Sequence, residues 1–276
     1  MTPELSAYLA RIGLSGPVSA TPEGLARAQR AHREAIAFEN LDPMLGRPIE
    51  LDPAAIRAKL VDAGRGGYCF EHNGLFGAML AEMGLPSRPL LGRVWLGAEP
   101  STIPPRTHTL RLVSIGDEMW LGDAGFGAAW VPPLPLRDGA TAQTPDGFTH
   151  RLRRADVPGS LRGEWLLERQ AAGAASPWEP QYGFDLTEVA EADLAMANHW
   201  TGTRPQTRFT SACIVSIVLP DGFAALRDRA VSIQRSTGRE AHALDTPDAW
   251  RSAIADTFRI RLPDADARAL SAKLYA

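Results

Sequence analysis

Cys69 closes a glycine-rich run, Gly64-Arg65-Gly66-Gly67-Tyr68-Cys69, and opens a segment of helical periodicity. Glycines permit a tight turn and close backbone approach. A helix N-terminus carries unpaired N–H groups and a positive dipole end, which attract an anionic sulfur and can stabilise an oxyanion. Arg65 adds positive charge beside the loop. Most free cysteines are small buried hydrophobes. Cys213, inside Ser211-Ala212-Cys213-Ile214-Val215, reads as one of these. Cys69, set between a glycine turn and a helix start, reads as a nucleophile.

A thiol nucleophile needs a histidine base, and the base needs a carboxylate or amide to orient it. Of the six histidines, His108 has the strongest claim. It sits in an alternating strand, Thr107-His108-Thr109-Leu110-Arg111-Leu112-Val113, followed by Gly116-Asp117 and a second strand ending at Asp123. A two-residue loop at Gly116-Asp117 places Ile115 opposite Glu118 and Asp123 opposite Leu110. His108 shares the face of Leu110, so His108 and Asp123 become diagonal neighbours. A three-residue loop would put them on opposite faces. His72, three residues after Cys69, is the second choice, because no carboxylate is placed to hold it.

These residues need scaffolds. Thr2-Pro3, Thr21-Pro22 and Asp52-Pro53 are helix starts. The first helix carries Leu5, Tyr8, Leu9 and Ile12, the second runs to about Ile36, and the third carries Ile56 and Leu60. A fourth spans Cys69 to Met83, stopped by Gly84 and Pro86. From about Ser87 the period changes to that of strands: 88–96, 107–115, 118–122 and Ser160 to Leu167. A helix from Thr187 to Trp200, an apolar strand from Ser211 to Leu219, a Pro220-Asp221-Gly222 turn and a helix from Thr246 with Trp250, Ile254 and Phe258 complete the pattern. The expected fold class is α+β, with a helical bundle over residues 1–85 carrying the cysteine, a β-barrel over 86–190 carrying the histidine and aspartate, and a connecting helix with an α/β lid over 191–276.

Bulk properties narrow the function classes. The 276 residues are 45% hydrophobic and 22% charged, enough apolar material for a core without disulfides. A net charge of −3 offers no general field for nucleic acid or an anionic membrane. No stretch approaches a membrane span or a secretory leader. Two cysteines make no disulfide framework, so a reducing cytoplasm is the expected location. Gly-x-Ser-x-Gly, His-Glu-x-x-His, a phosphate-binding Gly-Lys-Ser/Thr and Rossmann glycine spacing are all absent, and no metal site is expected. Arg151, Arg153 and Arg154 read as a solvated strand face.

Taken together, Arg65-Gly66-Gly67-Tyr68-Cys69-Phe70-Glu71-His72-Asn73, Thr107-His108-Thr109-Leu110 and Leu121-Gly122-Asp123-Ala124-Gly125-Phe126-Gly127 resemble the motifs of the arylamine N-acetyltransferases, of prokaryotic type. Ile36-Ala37-Phe38-Glu39-Asn40-Leu41-Asp42, Asn198-His199-Trp200 and Arg208-Phe209-Thr210 resemble further blocks, although Ala37 stands where that family usually has proline. The resemblance implies a bundle, barrel and lid around a cysteine-protease-like catalytic core, with Cys69, His108 and Asp123 as the triad. It implies acetyl-CoA as co-substrate, no permanently bound cofactor, and an arylamine or arylhydrazine as acceptor, in a monomer or homodimer. Phe38, Phe126 and Phe209 match cleft-lining positions, and Thr109 and Gly127 neighbours of the pantetheine arm.

The expected chemistry is ping-pong acetyl transfer through an acetyl-cysteine. The alternative is an amide synthase or other acyltransferase of the same fold, fed by a carrier-bound or longer acyl thioester. More distant readings are a cysteine hydrolase or transglutaminase-like enzyme, and a binding module with a vestigial triad.

Overall fold

The computed structural model describes residues 1–99, 101–155, 161–172 and 176–276. The helix starts form as the sequence predicts. In α1 (Pro3–Arg11) the Thr2 side chain accepts the Leu5 N–H, and in α2 (Pro22–Ala35) Thr21 accepts the Gly24 N–H. A two-residue strand, β1 (Phe38–Glu39), and a short α3 (Leu41–Met44) follow. Asp52 caps α4 (Pro53–Arg57), which runs into a π-helical turn over Ala58–Asp62 that periodicity does not reveal. α5 (Cys69–Glu82) ends before Gly84, whose φ of +77° is left-handed. Leu5, Tyr8, Leu25, Ile56, Leu60 and Phe76 pack into one core under these helices.

The middle of the chain forms an eight-stranded antiparallel sheet. Its strands are β2 (Ser87–Val94), β3 (Arg106–Ile115), β4 (Glu118–Gly122), β5 (Leu134–Pro135), β6 (Ala140–Gln143), β7 (Thr149–Arg154), β8 (Trp165–Gln170) and β9 (Glu179–Phe184). Their order is β5-β4-β3-β2-β9-β8-β7-β6, and the end strands β5 and β6 approach each other, so the sheet is a nearly closed barrel. Leu90, Leu110, Leu112, Leu121, Leu152 and Leu167 fill its interior. The hairpin register is the one the two-residue loop demands, with Ile115 opposite Glu118 and Arg111 opposite Gly122. The strand expected from Ser160 begins instead at Trp165, after a turn at Leu161–Arg162, and Ser160 itself lies outside the described residues. Arg151 and Arg153 lie on a strand face where both pair with Glu168.

Two helices lead out of the barrel, α6 (Glu191–Thr203) and α7 (Arg208–Ser211). The first starts four residues later than Thr187, with Asp193 capping the Ala190 N–H. A five-stranded sheet follows, ordered β1-β10-β11-β12-β13, with β10 (Ile214–Leu219), β11 (Gly222–Arg227), β12 (Ala230–Arg235) and β13 (Gly238–Ala243) joined by tight hairpins. Residues 211–213 do not belong to β10 as expected, because Ser211 closes α7. α8 (Pro247–Ser252), with its π turn over Ala253–Thr257, and α9 (Asp264–Tyr275) cover the sheet, burying Trp250, Ile254 and Phe258 against Val215, Ile217 and Leu226. The fifth strand is β1, far earlier in the chain: Phe38 pairs with Ser216 and Glu39 with Val215. Among the described residues no helix is long and apolar enough to cross a membrane.

Candidate active site

The glycine loop is laid against β1. Gly67 N–H donates to the Ala37 carbonyl at 3.3 Å, and Glu39 N–H donates to the Gly67 carbonyl at 2.8 Å. Gly66 is required there, since a Cβ would lie 2.2 Å from the Ala37 carbonyl oxygen. The loop delivers Cys69 to the first position of α5, and the Glu71 carboxylate accepts the Tyr68 N–H at 3.0 Å, closing the helix start. Arg65, expected to add positive charge beside the loop, is ion-paired there. Its buried guanidinium is held by Glu39 at 2.7 Å and Asp42 at 3.3 Å, so its charge is spent on fixing the loop.

The barrel supplies the other two groups. His108 Nε2 and Asp123 Oδ2 are 2.7 Å apart, and both side chains are buried. The Cys69 thiol donates to the Thr107 carbonyl at 3.7 Å, beside His108, whose charged form the Cys69 side chain favours. Phe126 and Tyr182 flank the imidazole, with ring centroids 5.2 and 4.8 Å away. Asp123 is itself held: its Oδ1 accepts from Asn73 Nδ2 at 3.1 Å and from Gly125 N–H at 2.9 Å, and its own N–H donates to Gln29 Oε1 at 2.9 Å.

Burial opposes charge on His108, but the Asp123 carboxylate and the Cys69 contact outweigh it and raise the imidazole to about 10. Burial would likewise raise Asp123, yet His108, Asn73 and the Gly125 N–H hold its carboxyl below the usual range. The other buried histidines behave oppositely. His72 Nε2 donates to the Ala37 carbonyl at 3.0 Å, so its Nδ1 accepts from His32 Nε2 at 2.7 Å, and His32 Nδ1 accepts the Tyr8 hydroxyl at 2.8 Å. Burial, with nearby positive charge, holds both rings well below ordinary histidine, so they are neutral packing elements. His72 meets no carboxylate. Cys213 lies in the core of the five-stranded sheet, where burial pushes its thiol up.

Cys69 and His108 open into a cavity of about 740 Å³ between barrel and five-stranded sheet. Phe38, Phe126, Gly127 and Phe209 line it, as does Trp200. Phe38 and Phe209 approach ring to ring at 5.8 Å. Gly127 gives Phe38 its room, because a Cβ there would come within 2.5 Å of the ring. Thr109 turns its hydroxyl to the Leu90 carbonyl inside the sheet, and its neighbour Thr107, not Thr109, is among the residues lining the cavity. Sequence reasoning assigned no role to Asn73, Gln29 or Asn40. Asn73 lies one turn after Cys69 on the same helix face, which is a legible signal. Asn40 binds the carbonyls of Phe209 and Ala212 and accepts the Ile214 N–H, fixing the aromatic wall from a distance in sequence that leaves no signal. Among the described residues no cluster of three or more His, Cys, Asp or Glu could hold a metal.

Residues 22–267 match the N-acetyltransferase family. The arylamine N-acetyltransferase of Escherichia coli (strain K12) is 40% identical over 223 residues, covering 80% of this chain and 75% of that one. This chain belongs to the arylamine N-acetyltransferase family. A second arylamine N-acetyltransferase, from Mycolicibacterium smegmatis, is 35% identical over 99% of this chain and 98% of its own. Solved structures of the family agree in fold. The Salmonella typhimurium enzyme superposes with a TM-score of 0.89 at 34% identity, covering 99% of both chains, and the Mycobacterium marinum enzyme in complex with CoA with 0.87 at 34%, covering 98% of both. The chain is thus an acyltransferase by family, and its α+β architecture is the family's own.

Proposed function

We propose that the protein transfers an acetyl group from acetyl-CoA to an arylamine or arylhydrazine through an acetyl-Cys69 intermediate. The observation that carries this reading is His108, bonded to Asp123 through Nε2 and lining, together with Cys69, one aromatic-walled cavity. The Cys69 proton rests on His108 as a thiolate–imidazolium pair, and the thiolate attacks the thioester carbonyl. Asp123 fixes the imidazole's orientation and favours its charged form. The N–H groups of the first turn of α5 are the donors that any helix start leaves unpaired, and they stabilise the oxyanion. CoA leaves as a thiol, taking the proton back. One thioester replaces another, so the acetyl-enzyme forms without a large energetic penalty and persists until an amine arrives.

The amine nitrogen then attacks the acetyl carbonyl, His108 takes its proton, and Cys69 is released. Phe38, Phe126 and Phe209 give a flat acceptor faces to stack against. The kinetics are ping-pong. Intact-mass measurement after mixing with acetyl-CoA alone tests this directly. An acetyl adduct on Cys69, discharged by an added arylamine with amide product, is expected, and Cys69→Ser should show neither. No adduct from acetyl-CoA, with Cys69 still alkylated by iodoacetamide, would sink the donor assignment.

A further inference from the structure

A second cavity, of about 550 Å³, lies at the seam between the helical bundle and the helices that cover the five-stranded sheet. Arg11 at the end of α1, the π turn at Val61 and Gly64 form one side of it. The second π turn and residues 259–262 form the other. Among the described residues it shares no lining residue with the cavity that holds Cys69. The Arg261 N–H donates to the Gly64 carbonyl at 3.1 Å. The Arg261 side chain lies over the same glycine, where a Cβ would come within 2.8 Å of Arg261 Cδ.

Three arginines line this cavity, and among the described residues no carboxylate does. Arg11 donates through Nε to the Leu60 carbonyl at 3.0 Å and through Nη1 to the Ala35 carbonyl at 2.8 Å. Arg259 donates through Nη1 to the Glu34 carbonyl at 3.0 Å. These carbonyls, at the end of α2 and in the first π turn, orient the two side chains but bring at most the partial charge of a helix end. The Arg261 side chain has no hydrogen-bond or ion-pair partner among the described residues. Arginines elsewhere meet carboxylates: Arg47 pairs with Asp266, Arg65 with Glu39 and Arg235 with Asp221. Burial and the like charges of Arg261 and Arg259 press the Arg11 guanidinium below its ordinary range. Arg259 also holds a left-handed φ of +56°, which glycine adopts at less cost. The fold thus carries an arginine where the backbone favours glycine. Three cations at one concave site, with no acid beside them in a chain of net charge −3, concentrate an anion there.

We propose that Arg11, Arg259 and Arg261 bind a phosphate group, free or as the monoester of a small molecule, in this second cavity. Paired guanidinium N–H groups match phosphate oxygens. Among the described residues Arg11 Nη2, Arg259 Nε and Nη2 and every Arg261 donor are uncommitted. A doubly charged tetrahedral group meets three such forks at once, which a carboxylate with two oxygens does not. The volume falls within the roughly 300–1,000 Å³ of small-molecule pockets, so it has room for the ester as well. The site touches the chain at Gly64, where the loop to Cys69 begins, and it does not depend on the acetyl-transfer reading.

Titration calorimetry of the full-length protein with inorganic phosphate and with glycerol 3-phosphate, against chloride at matched ionic strength, tests the site. The wild type should bind saturably, and its Tm should rise with ligand beyond the chloride control. Arg261→Ala should weaken that binding roughly tenfold or more. Arg259→Gly should weaken it similarly and stay folded, because glycine accepts the left-handed backbone. Tighter binding of glycerol 3-phosphate than of phosphate would support the site and make the ester its ligand class; the reverse order would support it as a site for free phosphate. No saturable binding by the wild type above the chloride control overturns the site. So does an unchanged affinity in Arg261→Ala, whose side chain has no partner among the described residues and whose fold is checked by its melting in chloride.

Discussion

An alanine at position 125 has nowhere to put its methyl group. The new Cβ would lie 2.6 Å from Asn73 Nδ2, 2.8 Å from Cys69 Cα and 2.9 Å from the Cys69 carbonyl oxygen. The Asn73 amide is a side chain and can swing, but only by giving up the Thr109 carbonyl and the Asp123 carboxylate. The Cys69 atoms are backbone in the first turn of α5 and cannot move alone. Restoring an ordinary carbon contact of about 3.5–4.0 Å requires α5 and the Asp123–Gly127 segment to part by about 1 Å. Overpacking of this kind costs about 1–3 kcal/mol, which lowers Tm by about 2–4 °C per kcal/mol in a chain of this size class. The displacement falls on the gap between Cys69 and His108, where a 1 Å error costs about a hundredfold in rate. Gly125→Ala should therefore be folded, several degrees less stable, and about a hundredfold slower in forming the acetyl-enzyme by stopped-flow or intact mass. Gly127→Ala is the contrast. Its Cβ meets the Phe38 ring at 2.5–2.7 Å, and that side chain can tilt, so the loss should fall on KM for the aromatic acceptor. Wild-type melting and wild-type acylation rate in Gly125→Ala would show that the segment does not hold Cys69 against His108.

Asp123→Asn should keep the fold yet lose most of the acylation rate, roughly a hundredfold to ten-thousandfold, because the amide neither favours the imidazolium nor selects its tautomer; a full-rate variant with an intact circular dichroism spectrum removes the orienting role. Nitrogen-15 histidine NMR should show His108 charged at pH 8 and titrating near 10, with His32 and His72 neutral down to acid pH. Titration of either His32 or His72 above pH 6 would contradict the hydrogen-bond chain. The linkage signs differ. His108 is raised in the folded state, so its stabilisation is complete below its unfolded value of about 6.5 and is lost as pH rises through about 10. His32 and His72 are lowered, so each costs about 1.4 kcal/mol per pH unit below about 6.5, where the unfolded chain takes protons and the folded one does not. Urea titrations at pH 5 and 7 should therefore show the lower stability at pH 5. Glu39→Ala leaves the buried Arg65 with Asp42 as its one ion-pair partner among the described residues and removes the acceptor of the Leu41 N–H, and should cost about 3 kcal/mol in urea unfolding.

Local signals in the sequence carried far. The three Pro-started helices are legible because capping is decided within four residues. The hairpin register is legible because a two-residue loop fixes it and the period of two then fixes the faces. That arithmetic places His108 beside Asp123. What it could not place was everything decided at long range. The π turns at Ala58–Asp62 and Ala253–Thr257 answer to packing and leave no mark in periodicity. Arg65 looked like an activating charge because its partners, Glu39 and Asp42, lie 26 and 23 residues earlier in the chain. Gln29 reaches Asp123 across 94 residues. Thr109 belongs to a motif whose neighbour, Thr107, faces the cavity, and only the Leu90 contact on its hydroxyl separates the two.

The short strand Phe38–Glu39 is hydrogen-bonded on one side to β10 and on the other to Gly67, two residues before the nucleophile. A hinge that swung the five-stranded sheet away from the barrel would have to tear that seam or drag Cys69 with it. Asn40, which binds three backbone groups around Phe209 and Ile214, reinforces the same seam. Opening the cavity by rotation of the five-stranded sheet would therefore break these bonds. With the sheet held in place, traffic passes the cavity's existing mouth, among lining side chains such as Trp200 and Arg208. The two substrates of a ping-pong cycle would then share one permanent doorway and must use it in turn.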